Sequence, residues 1–461
     1  MKVFGTLDRQ RKRSLWVLFT SGLLFWAGMA SLLPTLPLYV QFVGGTEQQV
    51  GLVMGAFAIG LLASRTRLGN LADRRSRQLV LLIGVGVSAI APLGYLFIQS
   101  IPWLIALRAF HGISIAAFTT AYSALVADSA PPDRRGELIG YMSLVTPVGV
   151  AIGPAIGGFV QAGFGYPPLF LMASVLGALS FVGSLQVWEP PRSVDRPPAD
   201  KNATPPDTQI GGIRLIAESA IAGLAIATLW WVGFGASWGL AAFMMLQGGI
   251  VYSFLRQIFS SSDRLRIPSM VMLMVGTIFG TIATFMPLFI GATAIDFNPG
   301  WFYTAAAMSS FMMRLLAGKA SDRFGRGLFI SFGLVCYALA MSVLAMANSG
   351  TALLFSGLLE GAAAGILIPI VVALMSDRSQ PEERGRLFAL CIGGFDLGIA
   401  VAGPLFGAIA PAIGFRNIFA IAAAIAVVAL LVFVRFNSKD LPHSLRFALG
   451  RGRDIYAISN K

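Results

Sequence analysis

Twelve separate runs of about 20 mostly apolar residues dominate this chain, and each has the length a helix needs to cross the hydrocarbon core of a bilayer. They lie at approximately 15–41, 49–68, 78–99, 101–126, 137–160 and 167–188, then 268–292, 299–317, 328–347, 351–375, 385–409 and 413–435, numbered here as spans 1 to 12. A membrane strand needs only about half that length, and inside lipid only helices and closed barrels satisfy their own backbone polar groups. The predicted fold class is therefore all-α integral membrane. Composition agrees: 12% of the 461 residues are charged, against roughly 25% in a domain whose surface faces water. The first run follows Lys2, Arg9, Arg11, Lys12 and Arg13, as a secretory leader would. It is much longer than a leader core of roughly 7–15 residues, and no small-residue cleavage site follows, so it is expected to remain as the first membrane helix.

The net charge of +13 is explained by where the charges lie. Basic residues collect at the N-terminus, after span 2 (Arg74, Arg75, Arg77), after span 4 (Arg134, Arg135), after span 8 (Lys319, Arg323, Arg326), after span 10 (Arg378, Arg384, Arg386) and in the C-terminal tail. The alternate loops hold almost none, Arg416 excepted. This pattern predicts a cell-membrane protein with both termini in the cytoplasm, and it accounts for the basic charge without a nucleic-acid partner. Cys336 and Cys391 sit in apolar runs, and the chain has only two histidines. No metal site, disulfide or cofactor is expected, and no nucleophile–base or phosphate-cradle constellation points to an enzyme.

The six-span groups, residues 1–188 and 258–435, are separated by a Pro-rich linker at 189–212 and an additional apolar region at 213–257. Glycines at 233, 235 and 239 could turn that region into a two-helix hairpin, giving 14 spans. One long tilted helix with an interfacial segment would leave 12. Glu218 there lies near a basic helix end and is expected to snorkel to the interface. Residues 436–461 form a cytoplasmic tail.

The two groups repeat. Arg65-x3-Gly69-x3-Asp73-Arg74-x2-Arg77 recurs as Arg314-x3-Gly318-x3-Asp322-Arg323-x2-Arg326, displaced by 249 residues. The same displacement carries Gly112 onto Gly361, Asp128 onto Asp377 and Arg135 onto Arg384. Internal duplication of this kind is the architecture of many secondary transporters, with substrate bound between the halves near mid-membrane.

The segment Gly69-Asn-Leu-Ala-Asp73-Arg74-Arg75-Ser76-Arg77, present twice in related form, resembles the loop 2–3 signature of the major facilitator superfamily; Ser76 stands where the family usually has Gly, and the second copy keeps Gly325. The resemblance covers essentially all of the chain except the extra apolar region and the tail. It implies two pseudo-symmetric six-helix bundles and a cytoplasmic latch of Gly69, Asp73, Arg74, Arg77 and Asp128 in one half and Gly318, Asp322, Arg323, Arg326 and Asp377 in the other. In that latch Asp73 should meet the start of span 11 and Asp322 the start of span 5, carboxylates accepting from helix N-termini and pairing with arginine. Gly149, Gly153, Pro154, Gly157 and Gly158 in span 5 resemble the family's antiporter signature. Pro34 and Pro37 in span 1 are similar to the motif of its twelve-helix drug:proton antiporters, with Pro287 the counterpart bend in span 7.

A charge inside a span costs about 2.5–3.5 kcal/mol on insertion scales and so needs an internal partner or a role. Arg108 and His111 in span 4 share one helix face, and Arg108 with Gly112 resembles the family's R-x-x-x-G motif, tied there to proton coupling. Glu360 in span 10 and Asp396 in span 11 are the remaining intramembrane acids. One or both carry the driving proton, or they form a buried ion pair, Arg108 being one partner considered. The expectation is a monomeric secondary transporter in membrane lipid, exporting small organic molecules against a proton gradient. A nutrient symporter or facilitator and a non-transporting sensor stand as alternatives.

Overall fold

A computed structural model of the chain describes residues 7–131, 135–189, 238–379, 384–452 and 454–458, with backbone alone at 135–137, 238–247, 250, 263, 319, 384–386 and 389. The described residues are helical, in the order α1 (Arg9–Ser31), α2 (Leu36–Phe42), α3 (Glu47–Arg74), α4 (Arg77–Phe97), α5 (Ile101–Ser129), α6 (Arg135–Met142), α7 (Val145–Phe164), α8 (Tyr166–Ser184), α9 (Trp238–Ser260), α10 (Asp263–Gly291), α11 (Pro299–Phe324), α12 (Arg326–Met346), α13 (Gly350–Asp377), α14 (Arg384–Phe436) and α15 (Leu441–Ala448). Residues Met1–Trp188 and Ser262–Lys461 form one compact unit, and Glu189–Ser261 another. Of the second unit, α9 is described; the linker and the turn expected at 233–239 lie outside the described residues, apart from Trp238 and Gly239, which belong to α9.

Ten described helices are long and apolar enough to cross a membrane. The last of them covers two spans, because Gly414 at φ +76 turns the chain inside α14, a conformation that favours glycine. α11 is less apolar, carrying Arg314, Lys319, Asp322 and Arg323, and it is flanked in the bundle by α7 and α13. The first unit thus contains the twelve spans read from the sequence. Span 1 is broken rather than bent: α1 ends at Ser31, and Pro37 lies in the first turn of α2, with Pro34 in the turn between. Pro287 instead lies within continuous α10.

The packing repeats as the sequence does. α1 packs on α7, α3 on α5, and α4 on both α5 and α8; in the second half α10 packs on α14, α11 on α13, and α12 on both α13 and α14. Gly112 makes the α3–α5 approach possible, since a Cβ there would lie 1.9 Å from the Phe57 carbonyl oxygen. Its repeat mate Gly361 meets the Ala306 carbonyl at 1.8 Å, and Ala306 stands 249 residues after Phe57. The halves meet along α3–α14 and along α7–α11.

Candidate functional site

Three clusters of polar side chains lie inside the bundle. In the first, α5 carries Arg108 and His111 one turn apart, both buried. Arg108 Nη1 is 3.4 Å from His111 Nδ1, and the Tyr95 hydroxyl of α4 is 3.2 Å from the same nitrogen. A guanidinium can only donate, so Nδ1 accepts and the imidazole proton sits on Nε2, which is buried without a partner. The Phe57 ring of α3 faces the Arg108 charge at 4.3 Å from its centroid, a cation–π contact. Arg108 has no carboxylate partner among the described residues.

The second cluster is Glu360 in α13, buried with the phenols of Tyr303 and Tyr337 beside it. Glu360 stands 249 residues after His111, and Gly357 stands at the position of Arg108. The repeat therefore sets an acid in one half against an arginine and a neutral histidine in the other.

The third joins the halves. Asp396 of α14 lies with Oδ2 3.0 Å from Nη2 of Arg65 in α3. Oδ2 receives no hydrogen bond of good geometry, so the contact is a charge pair rather than an aligned bond. Arg65, and not Arg108, is the partner of this acid. The spacing of the repeated motif contains Arg65, but nothing in it says which acid from the other half the arginine meets. In the repeat Arg314 stands at the position of Arg65 and Pro147 at that of Asp396, so the acid is not duplicated, and the Arg314 Nε is buried without a partner among the described residues.

At the membrane face that carries both chain ends, the latch residues pair within each half. Arg77 forms a salt bridge with Asp128 and also reaches the Ala124 carbonyl at 3.4 Å. Arg326 pairs with Asp377, its Nη2 3.3 Å from Oδ1, and with Asp322 at 3.2 Å. Gly69, Asp73 and Arg74 lie in the last turns of α3, and Gly318, Asp322 and Arg323 in those of α11, so the motif is mostly helix end rather than loop. The helix starts expected to meet Asp73 and Asp322 have side chains outside the described residues at 384–386 and 135–137. A Cβ at Gly69 or at Gly318 would meet nothing within 4 Å.

At the opposite face the halves touch backbone to backbone. A Cβ at Gly51 would lie 2.0 Å from the Gly403 carbonyl oxygen, one at Gly55 2.7 Å from that of Ala400, and one at Gly407 2.8 Å from that of Glu47. On the other seam Thr304 donates to the Ala151 carbonyl at 3.2 Å, a Cβ at Gly300 would lie 2.5 Å from the Pro154 carbonyl, and one at Gly158 would lie 2.4 Å from Asn298 Oδ1. The remaining span 5 glycines, Gly149, Gly153 and Gly157, press on Trp26, Ala27 and Ser31 of α1 within the first half. Close approach along that helix thus serves two neighbours, α1 with one set of small residues and α11 with another.

The comparisons with known proteins agree with this arrangement. The Major Facilitator Superfamily model matches residues 18–299 and 269–454. The quinolone resistance protein NorA of Staphylococcus aureus is 28% identical over 180 residues, 39% of this chain, so the chain spans about half of that relative's length, 46% of it. The multidrug resistance protein MdtG of Serratia proteamaculans is 28% identical over 429 residues, covering 89% of this chain and 90% of that one. Among solved structures, a POT family transporter in complex with a thioalcohol-conjugated peptide superposes with a TM-score of 0.70 at 15% identity, covering 94% of this chain and 98% of the other. A bacterial homologue of the human lysosomal transporter Spinster does so with a TM-score of 0.63 at 16% identity, over 98% and 100%. These structural likenesses concern the fold. The repeated latch, the matched packing of the halves and a family match along nearly the whole chain lead to one assignment: the chain belongs to the Major Facilitator Superfamily.

Proposed function

We propose that the chain is a secondary transporter that exports small organic molecules in exchange for protons, its halves rocking about a central site with both termini cytoplasmic. The observation that carries this reading is the contrast between the two membrane faces. Backbone contacts at Gly51, Gly403 and Gly300 close one face, while at the other a Cβ on Gly69 or Gly318 would meet no described residue within 4 Å. A bundle closed on one side and loosened on the other is one of the two states an alternating carrier must visit. The drug and quinolone resistance relatives favour export over uptake.

In this reading Glu360 and Asp396 are the proton carriers, because each is a carboxylate buried inside the bundle and Asp396 is also paired across the seam. Protonating Asp396 removes the charge that holds Arg65 across the α3–α14 seam. The latch pairs Arg77–Asp128 and Arg326–Asp377 hold each half's helix ends in place for closure of the cytoplasmic face.

Transport in vesicles with an imposed pH gradient tests the exchange: substrate should move against the protons, and Glu360→Gln should abolish the response to the gradient while leaving exchange down a substrate gradient. Substrate moving with the protons would reject antiport. For the conformational part, Gly403→Ala places a methyl against Gly51 and should disfavour closure of the outer face. Cysteine pairs across that face should then cross-link at least about tenfold more slowly, as expected for a change of ~1.4 kcal/mol; an unchanged rate would reject the closure.

A further inference from the structure

The tail is not the loose extension its sequence suggests. α15 is docked by its Phe447 and Ala448 side, where a Cβ on Gly327 of α12 would lie 2.2 Å from the Phe447 carbonyl oxygen. Beyond it the chain continues as a strap. Asp454 takes a two-bond ion pair from Arg378, at 2.7 and 3.0 Å, and the Ile458 amide donates to the Asp377 carbonyl at 2.9 Å.

At about 100° per residue, the eight residues of α15 and Leu449 divide into three arcs. Ser444, Phe447 and Ala448 form the arc buried against the protein. Leu441, Leu445 and Leu449 form a second, adjacent arc and are exposed at 44%, 44% and 50%. Pro442, Arg446 and His443 form the third, exposed on the flank opposite the leucine row. A helix wholly in water has no use for an uncovered leucine row, and one wholly in lipid could not carry the third arc. Only a helix lying along the membrane–water boundary satisfies all three arcs at once.

The surroundings choose the occupant of the leucine row. α14 ends immediately before, at the exposed pair Arg435 and Phe436, so the segment begins where a spanning helix leaves the bilayer. Exposed Lys439, Arg446 and Arg451 add to Arg435. Among the described residues the acids nearby are engaged: Asp440 with His443, Asp454 with Arg378, and Asp322 and Asp377 with Arg326. The patch is thus apolar on one side and cationic on the next, the complement of an acyl-chain boundary under anionic headgroups.

We infer that α15 with its flanking basic residues is a docking surface for anionic phospholipid of the same bilayer, and that the Asp454–Arg378 pair ties this lipid contact to the end of α13. A lipid that draws α15 to the interface pulls on the strap attached to Asp377 and Arg378, next to the Arg326 latch.

The test uses the full chain with Leu445→Cys or His443→Cys, each carrying a polarity-sensitive fluorophore, in vesicles of brominated phosphatidylcholine with or without phosphatidylglycerol. Quenching at 445 should exceed that at 443 by about twofold or more, as an interfacial helix requires. It should rise with phosphatidylglycerol and fall with added salt. The exposed triple variant K439Q/R446Q/R451Q should lose the phosphatidylglycerol and salt dependence, by roughly fivefold in lipid selectivity for each neutralised charge, while keeping the basal quenching. Equal quenching at the two positions, or quenching at 445 indifferent to phosphatidylglycerol and salt, overturns the inference. Protection of the unlabelled Leu445→Cys thiol from a water-soluble reagent in cells, but not in vesicles of matched lipid, would mean that a protein covers the row, and overturns it as well.

Discussion

The two halves solve the same problem at the chain-end face with different chemistry. Between α3 and α4 the turn is made by Ser76, which caps α4 by accepting from the Leu79 amide at 3.1 Å. Between α11 and α12 it is made by Gly325 at φ +92, a conformation with no steric cost for glycine. The end of span 6 is held to α1 without an ion pair in these bonds, by Ser14 with the Trp188 backbone and by Arg13 donating to the Gln186 amide oxygen at 3.2 Å. At the end of span 12 an ionic clamp takes over: Arg378, fully buried, donates to Asp454 and to the carbonyls of Arg264 and Asn437. Ser129 occupies the Arg378 position in the first half. Duplication preserved where the helix ends must be tied, and the tie itself diverged. The second half therefore carries a fully buried arginine at the end of α13 where the first half has Ser129, in addition to the Arg–Asp latch pair that both halves share.

The largest expected effect breaks that clamp. Asp454→Asn leaves Arg378 buried without a counter-charge, and removing one partner of a buried pair costs about 3–5 kcal/mol. Asp128→Asn breaks the Arg77–Asp128 latch pair of the first half, where Arg77 is buried but keeps the Ala124 carbonyl and the acid is 32% exposed, and the loss should be smaller, about 1–3 kcal/mol. Thermal unfolding of the two purified variants should separate them clearly. Equal losses would mean that the tail contributes nothing the first half lacks.

The inter-half seams make a second asymmetric pair: Arg65 meets Asp396 on one side, while in the repeat Pro147 stands at the Asp396 position and gives Arg314 no acid. Asp396→Asn should cost about 1–3 kcal/mol, less than the clamp because Arg65 is 28% exposed, and it should reduce transport more than stability. Arg314→Gln, which breaks no ion pair, should leave unfolding within about 0.5 kcal/mol of the parent. The double variant R65Q/D396N distinguishes roles: recovery of stability without pH-dependent transport marks Asp396 as a proton carrier, and recovery of both leaves it a structural pair.

Much of this was legible in the chain itself. Apolar run length predicts the twelve spans, and the 249-residue displacement predicts which helices pack alike, because periodicity and spacing are local properties. Partnership is not local. Arg65 and Asp396 are 331 residues apart, and only the antiparallel run of α3 along α14 brings them together. Arg378 reads as one more basic residue after a span, and nothing near it announces Asp454, 76 residues later. Pro34 and Pro287 read alike as bends, yet one breaks its helix and the other does not. The tail was passed over because seven or eight residues of mixed polarity carry too little periodicity to declare a helix.

The smallest effect concerns how that tail helix begins. Asp440 caps α15, accepting from the His443 amide at 2.9 Å and contacting the His443 ring at 2.7 Å. The amide bond, then the ring, hold the Asp440 carboxyl below its ordinary range. A carboxylate with a depressed folded value contributes stability that is present above the ordinary carboxylate value and fades as pH falls through the depressed one. The cap should therefore be intact at neutral pH and lost only in acid, lowering the protection of the α15 amides. Asp440→Asn keeps a capping oxygen and should make that exchange independent of acid, whereas Asp440→Ala should raise it at neutral pH. The described end of the first half, Ser184 to Trp188, is tied by the Ser14 hydroxyl and by Arg13 rather than by a carboxylate cap, so its amides should show no such acid step, and finding one there would erase the difference between the halves.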